Sequence, residues 1–160
     1  MRAFSLLLLF LFLQTGWAQT PPLYATDAWV RATARGQQAT GAFLTLRSAE
    51  PLRLVGVRSP LAAAAEIHVM RVDDDGVMRM RAIPWLDLPA DQVTELKPGG
   101  FHIMLLSLRA PANAGQRTTL TLVLENAARQ RQEVTVDAEI RALNALAPNP
   151  PHTPRDKATH

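Results

Sequence analysis

Apolar and polar residues alternate along the middle of this chain in short runs, from about residue 28 to residue 140. A two-residue period is typical of β-strands with one buried face. Segments rich in Gly, Pro, Asn and Asp separate the runs and favour turns. Residues 61–65 are Ala-rich and compatible with a helical turn, and no long helix is predicted. The pattern predicts an all-β fold, an antiparallel β-sandwich or barrel of eight or nine short strands. The predicted strands cover residues 28–34, 41–47, 52–58, 65–72, 77–83, 93–96, 101–108, 118–125 and 132–140.

The two ends of the chain have a different pattern. Arg2 precedes an unbroken apolar run from Leu6 to Leu13, and the small residues Gly16 and Ala18 follow, which is the order of a secretory signal peptide over residues 1–18. The run is shorter than the roughly 20 residues that span a bilayer, although a membrane-anchored N-terminus remains the alternative. Since no cysteine follows, a lipid anchor is not expected. We expect a leader at 19–25, one domain at 26–142, a disordered Pro-rich tail at 143–160, and a periplasmic protein.

Composition excludes several classes of function. The 160 residues suffice for one domain, and 17 Lys and Arg against 14 Asp and Glu leave a net charge of only +3. No basic run with interleaved aromatic residues occurs, so nucleic acid is not an expected partner. The absence of cysteine excludes disulfides, thiolate zinc sites, iron–sulfur clusters and blue-copper sites.

Histidine and methionine cluster within one stretch of the chain. Apart from Met1 and the two tail histidines, every one of these residues lies between positions 68 and 104. Residues i and i+2 of a strand share a face, so the six residues form three same-face pairs. The pairs are His68 with Met70, Met78 with Met80, and His102 with Met104.

The spacing also predicts how two of the strands pair. A hairpin around Asp73 to Gly76 that pairs His68 with Met80 also pairs Met70 with Met78, and it leaves a three-residue loop, Asp73 to Asp75. Opposed side chains have Cβ atoms about 5 Å apart, so one patch could collect these groups. A slip of one residue would put them on opposite faces.

Two imidazoles and two thioethers suit a particular metal. Thioether sulfur is soft and uncharged and favours Cu(I), whereas Mg²⁺ and Ca²⁺ prefer oxygen, and zinc takes Cys, His or carboxylate. We therefore predict a Cu(I) site made by His68, Met80, His102 and Met104. Met70 and Met78 are read as core packing.

Two other classes of protein remain open. In a secreted β-sandwich binding module, the His and Met cluster would only pack the core. An enzyme is not expected, because no G-x-S-x-G or H-E-x-x-H motif and no distinctive pair of carboxylates occurs.

The chain resembles the periplasmic copper chaperone family PCuAC. The family pattern is a His, a Met twelve positions on, a His twenty-two further, and a Met two beyond, which His68, Met80, His102 and Met104 match. The resemblance covers roughly residues 26–141. The sequence around the motif also resembles the family, at residues 29–31 (WVR), 41–43 (GAF), 65–70 (AEIHVM), 76–81 (GVMRMR) and 96–105 (LKPGGFHIML).

The resemblance implies a cupredoxin-like β-barrel with a surface Cu(I) site and no catalysis. It also implies delivery of copper to the binuclear copper centre in subunit II of cytochrome c oxidase, often beside an Sco-type thiol protein. Some relatives carry a second, Cu(II)-binding segment rich in His and Met at the C-terminus. The tail here has only His152 and His160.

Overall fold

A computed structural model describes residues 23–142, which form ten β-strands with no helix in this range. The strands are β1 Leu23–Arg31, β2 Ala39–Ser48, β3 Leu52–Arg58, β4 Ala62–Val72, β5 Met78–Ile83, β6 Leu86–Leu88, β7 Val93–Leu96, β8 Phe101–Leu108, β9 Arg117–Glu125 and β10 Arg131–Arg141. The all-β class is confirmed.

Three local features differ from the sequence-based expectations. Strand β1 begins at Leu23, so residues 23–25 belong to the first strand and not to the leader predicted at 19–25. The Ala-rich segment 61–65 forms no helical turn, because β4 begins at Ala62 and pairs with β8. Strand β6 was missed, since three residues are too few to show a period. The signal peptide predicted at 1–18 and the tail predicted at 143–160 lie outside the described residues.

The strands form one sheet in the order β5-β4-β8-β7-β2-β1-β10-β9-β3-β6, with an additional contact between β8 and β2. Neighbouring strands are antiparallel except for two pairs, β1 with β10 and β7 with β8. The antiparallel prediction therefore holds for most of the sheet.

The sheet curls around a core of aliphatic side chains. Residues as distant along the chain as Leu46, Leu54, Ile103 and Leu122 are fully buried in one cluster. Every strand except β5 contributes a buried apolar residue to that cluster. Because one face of each strand packs against the core, polar and functional side chains lie on the other face, at the surface. Strand β5 is an edge strand whose residues are almost all exposed.

No helix within residues 23–142 has the length and apolar character needed to cross a bilayer.

Candidate metal centre

Strands β5, β4 and β8 lie side by side and carry all four predicted ligands. His68 on β4 is directly opposite His102 on β8, and Ile67 is opposite Ile103. The isoleucines are buried in the core, so the histidines lie on the outer face of the sheet. The pairing of strands therefore brings two histidines from distant parts of the sequence into contact.

The two imidazole rings are close enough to share one metal ion. Their centroids are 5.7 Å apart, with an interplanar angle of 64°. An imidazole nitrogen binds a metal ion at about 2 Å, so two rings on one ion have centroids at most about 6 Å apart. The His68 side chain is 14% exposed and His102 is 5% exposed, so the pair lies just beneath the surface.

The β4–β5 hairpin has a register two residues away from the predicted one. Met70 is opposite Met80, and Val72 is opposite Met78, so the prediction that His68 pairs with Met80 is wrong. The hairpin closes where the Asp73 amide donates to the Val77 carbonyl at 2.9 Å.

Gly76 explains the difference in register. The three-residue loop is Asp74 to Gly76, and Gly76 has φ +76°, which the last position of such a loop favours. The predicted loop, Asp73 to Asp75, would have left this glycine in a strand. Because the shift is an even number of residues, the methionines stay on the face of the histidines.

The observed register changes which methionine stands beside the histidines. Met70 is half-buried on the same strand face as His68 and two residues from it, whereas its partner Met80 is one strand further from His102 and 48% exposed. Met104 lies on the other side of the pair, opposite Glu66. The structure thus places all four predicted ligands on one face, and Met70 shares that face with His68 as the two-residue period predicts. The Gly76 turn was the signal that could have revealed the hairpin register.

Each histidine has one ring nitrogen engaged by a hydrogen bond. Nε2 of His68 is 2.8 Å from Oε2 of Glu66, and Nδ1 of His102 is 3.1 Å from the carbonyl oxygen of Gly100. The Nδ1 atom of His68 is buried and has no hydrogen-bond partner. A buried nitrogen without a partner is costly, and a metal ion would supply one, so the residues present fit a metal.

Burial lowers the pKa of His102 below its ordinary value. The hydrogen bond to the Gly100 carbonyl raises the pKa of His102 in part, and the electrostatic influence of the neighbouring His68 and Arg31 lowers it further. His102 is therefore neutral, as a metal ligand must be, to a lower pH than an exposed histidine.

Aromatic residues wall the site on the β2 side. The Phe43 ring lies 6.4 Å from the His102 ring and 4.4 Å from the Trp29 ring. The Arg31 guanidinium lies over Phe43, 5.8 Å from the ring centroid. Gly41 pairs with Met104 and leaves room for the Phe43 ring above its backbone.

A cavity of about 920 Å³ lies on the reverse side of the same strands, lined by residues that include Val69, Phe101 and Trp85. None of the four predicted ligands lines it. Trp85 is 43% exposed and contacts the Arg53 guanidinium 5.0 Å from its ring centroid, so this tryptophan is separate from the site.

Oxygen, nitrogen and thiolate donors alone do not form a centre here. No group of three or more His, Cys, Asp or Glu side chains within residues 23–142 is arranged to hold a metal ion. The thioethers of Met80 and Met104 on the same face as the His68–His102 pair are donors that suit a soft ion.

Comparison with known proteins places this fold among the PCuAC domains. The apo PCuAC domain from PmoF1 is 27% identical, with a TM-score of 0.61 over 78% of this chain and 97% of that one. The solution structure of CuI-DR1885 from Deinococcus radiodurans is 28% identical, with a TM-score of 0.56 over 79% of this chain and 83% of that one. The resemblance to PCuAC, including its cupredoxin-like β fold, is confirmed.

Residues 23–139 match the model of the LpqE-like family, described as "Putative lipoprotein LpqE-like". The chain belongs to this family. A protein from Leifsonia xyli subsp. xyli, named "Putative lipoprotein Lxx21020", is 30% identical over 109 residues, which cover 68% of this chain and 66% of that protein.

Proposed function

We propose that the protein is an exported Cu(I) chaperone that binds one cuprous ion at His68, Met80, His102 and Met104 and hands it to an acceptor protein. The observation that carries this proposal is the pair of facing imidazoles, 5.7 Å apart, on a sheet face that also bears the methionines. CuI-DR1885, the Cu(I) form of a Deinococcus radiodurans protein, shares this fold at 28% identity, which supports the same cargo here.

The donor set suits a carrier. Thioethers and neutral imidazoles bind Cu(I) without adding charge, and thioethers do not protonate in mild acid. Because no thiolate is present, an acceptor with thiolate ligands can take the ion by exchange. We propose binding and release, and no catalysis.

Release would begin at the edge of the sheet. Met80 lies on edge strand β5 and is 48% exposed, whereas His102 is 5% exposed. An acceptor ligand can therefore replace Met80 first while the histidines still hold the ion.

We further propose the acceptor and the compartment. The acceptor is the copper-binding subunit II of cytochrome c oxidase, with an Sco-type thiol protein as a second partner, and the location is the periplasm. Mixing the Cu(I)-loaded protein with the soluble domain of subunit II and measuring copper in each after separation tests this step. Copper remaining on the chaperone at equilibrium would argue against this acceptor.

Titration with Cu(I) against a competing chelator tests the binding proposal. We expect one equivalent to bind to the native chain, and binding to be lost in His102→Ala and Met104→Ala. Met78→Ala is the matched control, since Met78 is 57% exposed and lies nearer the hairpin tip. Far-UV circular dichroism verifies that each variant is folded.

The alternative function is a secreted binding module in which the His and Met side chains only pack. The exposure of Met80 and the unpaired Nδ1 of His68 favour the copper site, because packing would bury the first and satisfy the second. Absence of Cu(I) binding by the native chain would support the module.

A further inference from the structure

We infer that the two histidines bind copper through different ring nitrogens, His68 through Nδ1 and His102 through Nε2, and that Glu66 is the positioning residue that fixes this arrangement. The inference rests on the proposed copper site and adds which atoms bind and what holds them.

The first step concerns His68. An ionised carboxylate can only accept hydrogen bonds, so the contact of 2.8 Å with Oε2 of Glu66 places the ring proton on Nε2. In the neutral ring, the lone pair is then on Nδ1. That atom is buried and has no hydrogen-bond partner, so it is the nitrogen that a metal ion would satisfy.

The second step concerns His102. The carbonyl oxygen of Gly100 can only accept, so Nδ1 of His102 donates and carries the proton at 3.1 Å. The lone pair is on Nε2, which makes no hydrogen bond to another residue of the described chain. A metal-binding histidine usually donates its other ring N–H to a carboxylate or a carbonyl, and these two histidines show one of each.

The two partners differ in how easily they are lost. Gly100 holds His102 through its backbone, which no substitution of a side chain removes. Glu66 holds His68 through a side chain that is 49% exposed. Without the Glu66 carboxylate, the His68 proton can move to Nδ1, and the buried lone pair is no longer presented to the ion.

Glu66→Ala should therefore weaken Cu(I) binding by roughly 10- to 100-fold, the usual effect of removing such a partner. Glu66→Gln keeps an oxygen acceptor at the same place and should restore most of the affinity. Glu95→Ala is the matched control, because Glu95 is 53% exposed and accepts a hydrogen bond from Lys97 two residues along the chain, as Glu66 contacts His68 two residues along. The control should leave the affinity unchanged.

The deciding measurement is long-range ¹H–¹⁵N NMR of the histidine rings, which identifies the protonated nitrogen and the metal-bound nitrogen in the diamagnetic Cu(I) protein. We expect Nε2–H on His68 and Nδ1–H on His102 with and without copper, and a loss of the Nε2–H form of His68 in Glu66→Ala.

Copper on Nε2 of His68, or full affinity in Glu66→Ala, would overturn the inference while leaving the copper chaperone intact. No Cu(I) binding by the native chain would instead remove the proposed function.

Discussion

Replacing Gly41 by alanine should disturb the aromatic wall of the metal centre. A Cβ at this position would lie 2.7 Å from Cζ and 3.1 Å from Cε2 of Phe43, whereas atoms in contact normally lie about 3.5–4 Å apart. The ring has little room to retreat, because Phe43 is 4% exposed and packs against Trp29 at 4.4 Å between centroids.

The size of the effect follows from this overlap. Forcing an extra methyl group into a packed site costs about 1–3 kcal/mol. A domain of this size loses about 4 °C of melting temperature per kcal/mol, so Gly41→Ala should melt about 4–12 °C below the native chain. Gly100→Ala is the control, since its Cβ would meet its nearest atoms at 3.7 Å, an ordinary contact.

Thermal unfolding followed by circular dichroism measures both variants. In a Phe43→Leu background, the penalty of Gly41→Ala should shrink, because the two changes are coupled through one contact. The predicted contact between Gly41 and Phe43 is refuted if Gly41→Ala and Gly100→Ala have the same melting temperature. It is also refuted if the loss of melting temperature caused by Gly41→Ala is unchanged in the Phe43→Leu background.

Other parts of the site give further expected outcomes. Met80→Leu conserves side-chain volume and should lower Cu(I) affinity at least tenfold, whereas Met78→Leu should not; equal affinities in a chelator competition would exclude Met80 as a ligand. The NMR titration midpoint of His102 should lie below about 6.5, and apoprotein stability should fall as the pH drops below that value, because the unfolded chain takes up a proton that the folded chain resists. The hydrogen bond from the Val77 amide, followed by that from Arg79, lowers the pKa of Asp73 in the folded chain. The Asp73 carboxylate should therefore stabilise the fold above its unfolded pKa of about 3.9, and this stabilisation should be lost as the pH falls through the lower folded pKa. Asp73→Ala should speed hydrogen exchange at the Val77 amide, and unchanged exchange would show that the side chain does not hold the loop.

The period of apolar residues was enough to predict most strands of the sheet. Strands β3, β7 and β8 have the predicted bounds, because turn residues limit each of them on both sides. Strand β6 was missed, since Leu86 and Leu88 give only one repeat of the period. Its place in the sheet depends on pairing with β3, a contact between distant segments that local pattern does not reveal.

The candidate site was predictable in composition and face, but not in register. Parity placed His68, His102 and the methionines on one side of the sheet, and the strand pairing agrees. The register required the backbone preference of Gly76, which decides where the hairpin turns. The hydrogen bonds of Glu66 and Gly100 to the two histidines depend on the directions of the side chains, and the spacing of residues along the sequence does not predict these directions.

X-ray absorption at the copper edge of the Cu(I)-loaded protein tests the central claim most directly. The account predicts a first shell of two nitrogen and two sulfur scatterers, from two imidazoles and two thioethers. A shell of nitrogen and oxygen alone would contradict it.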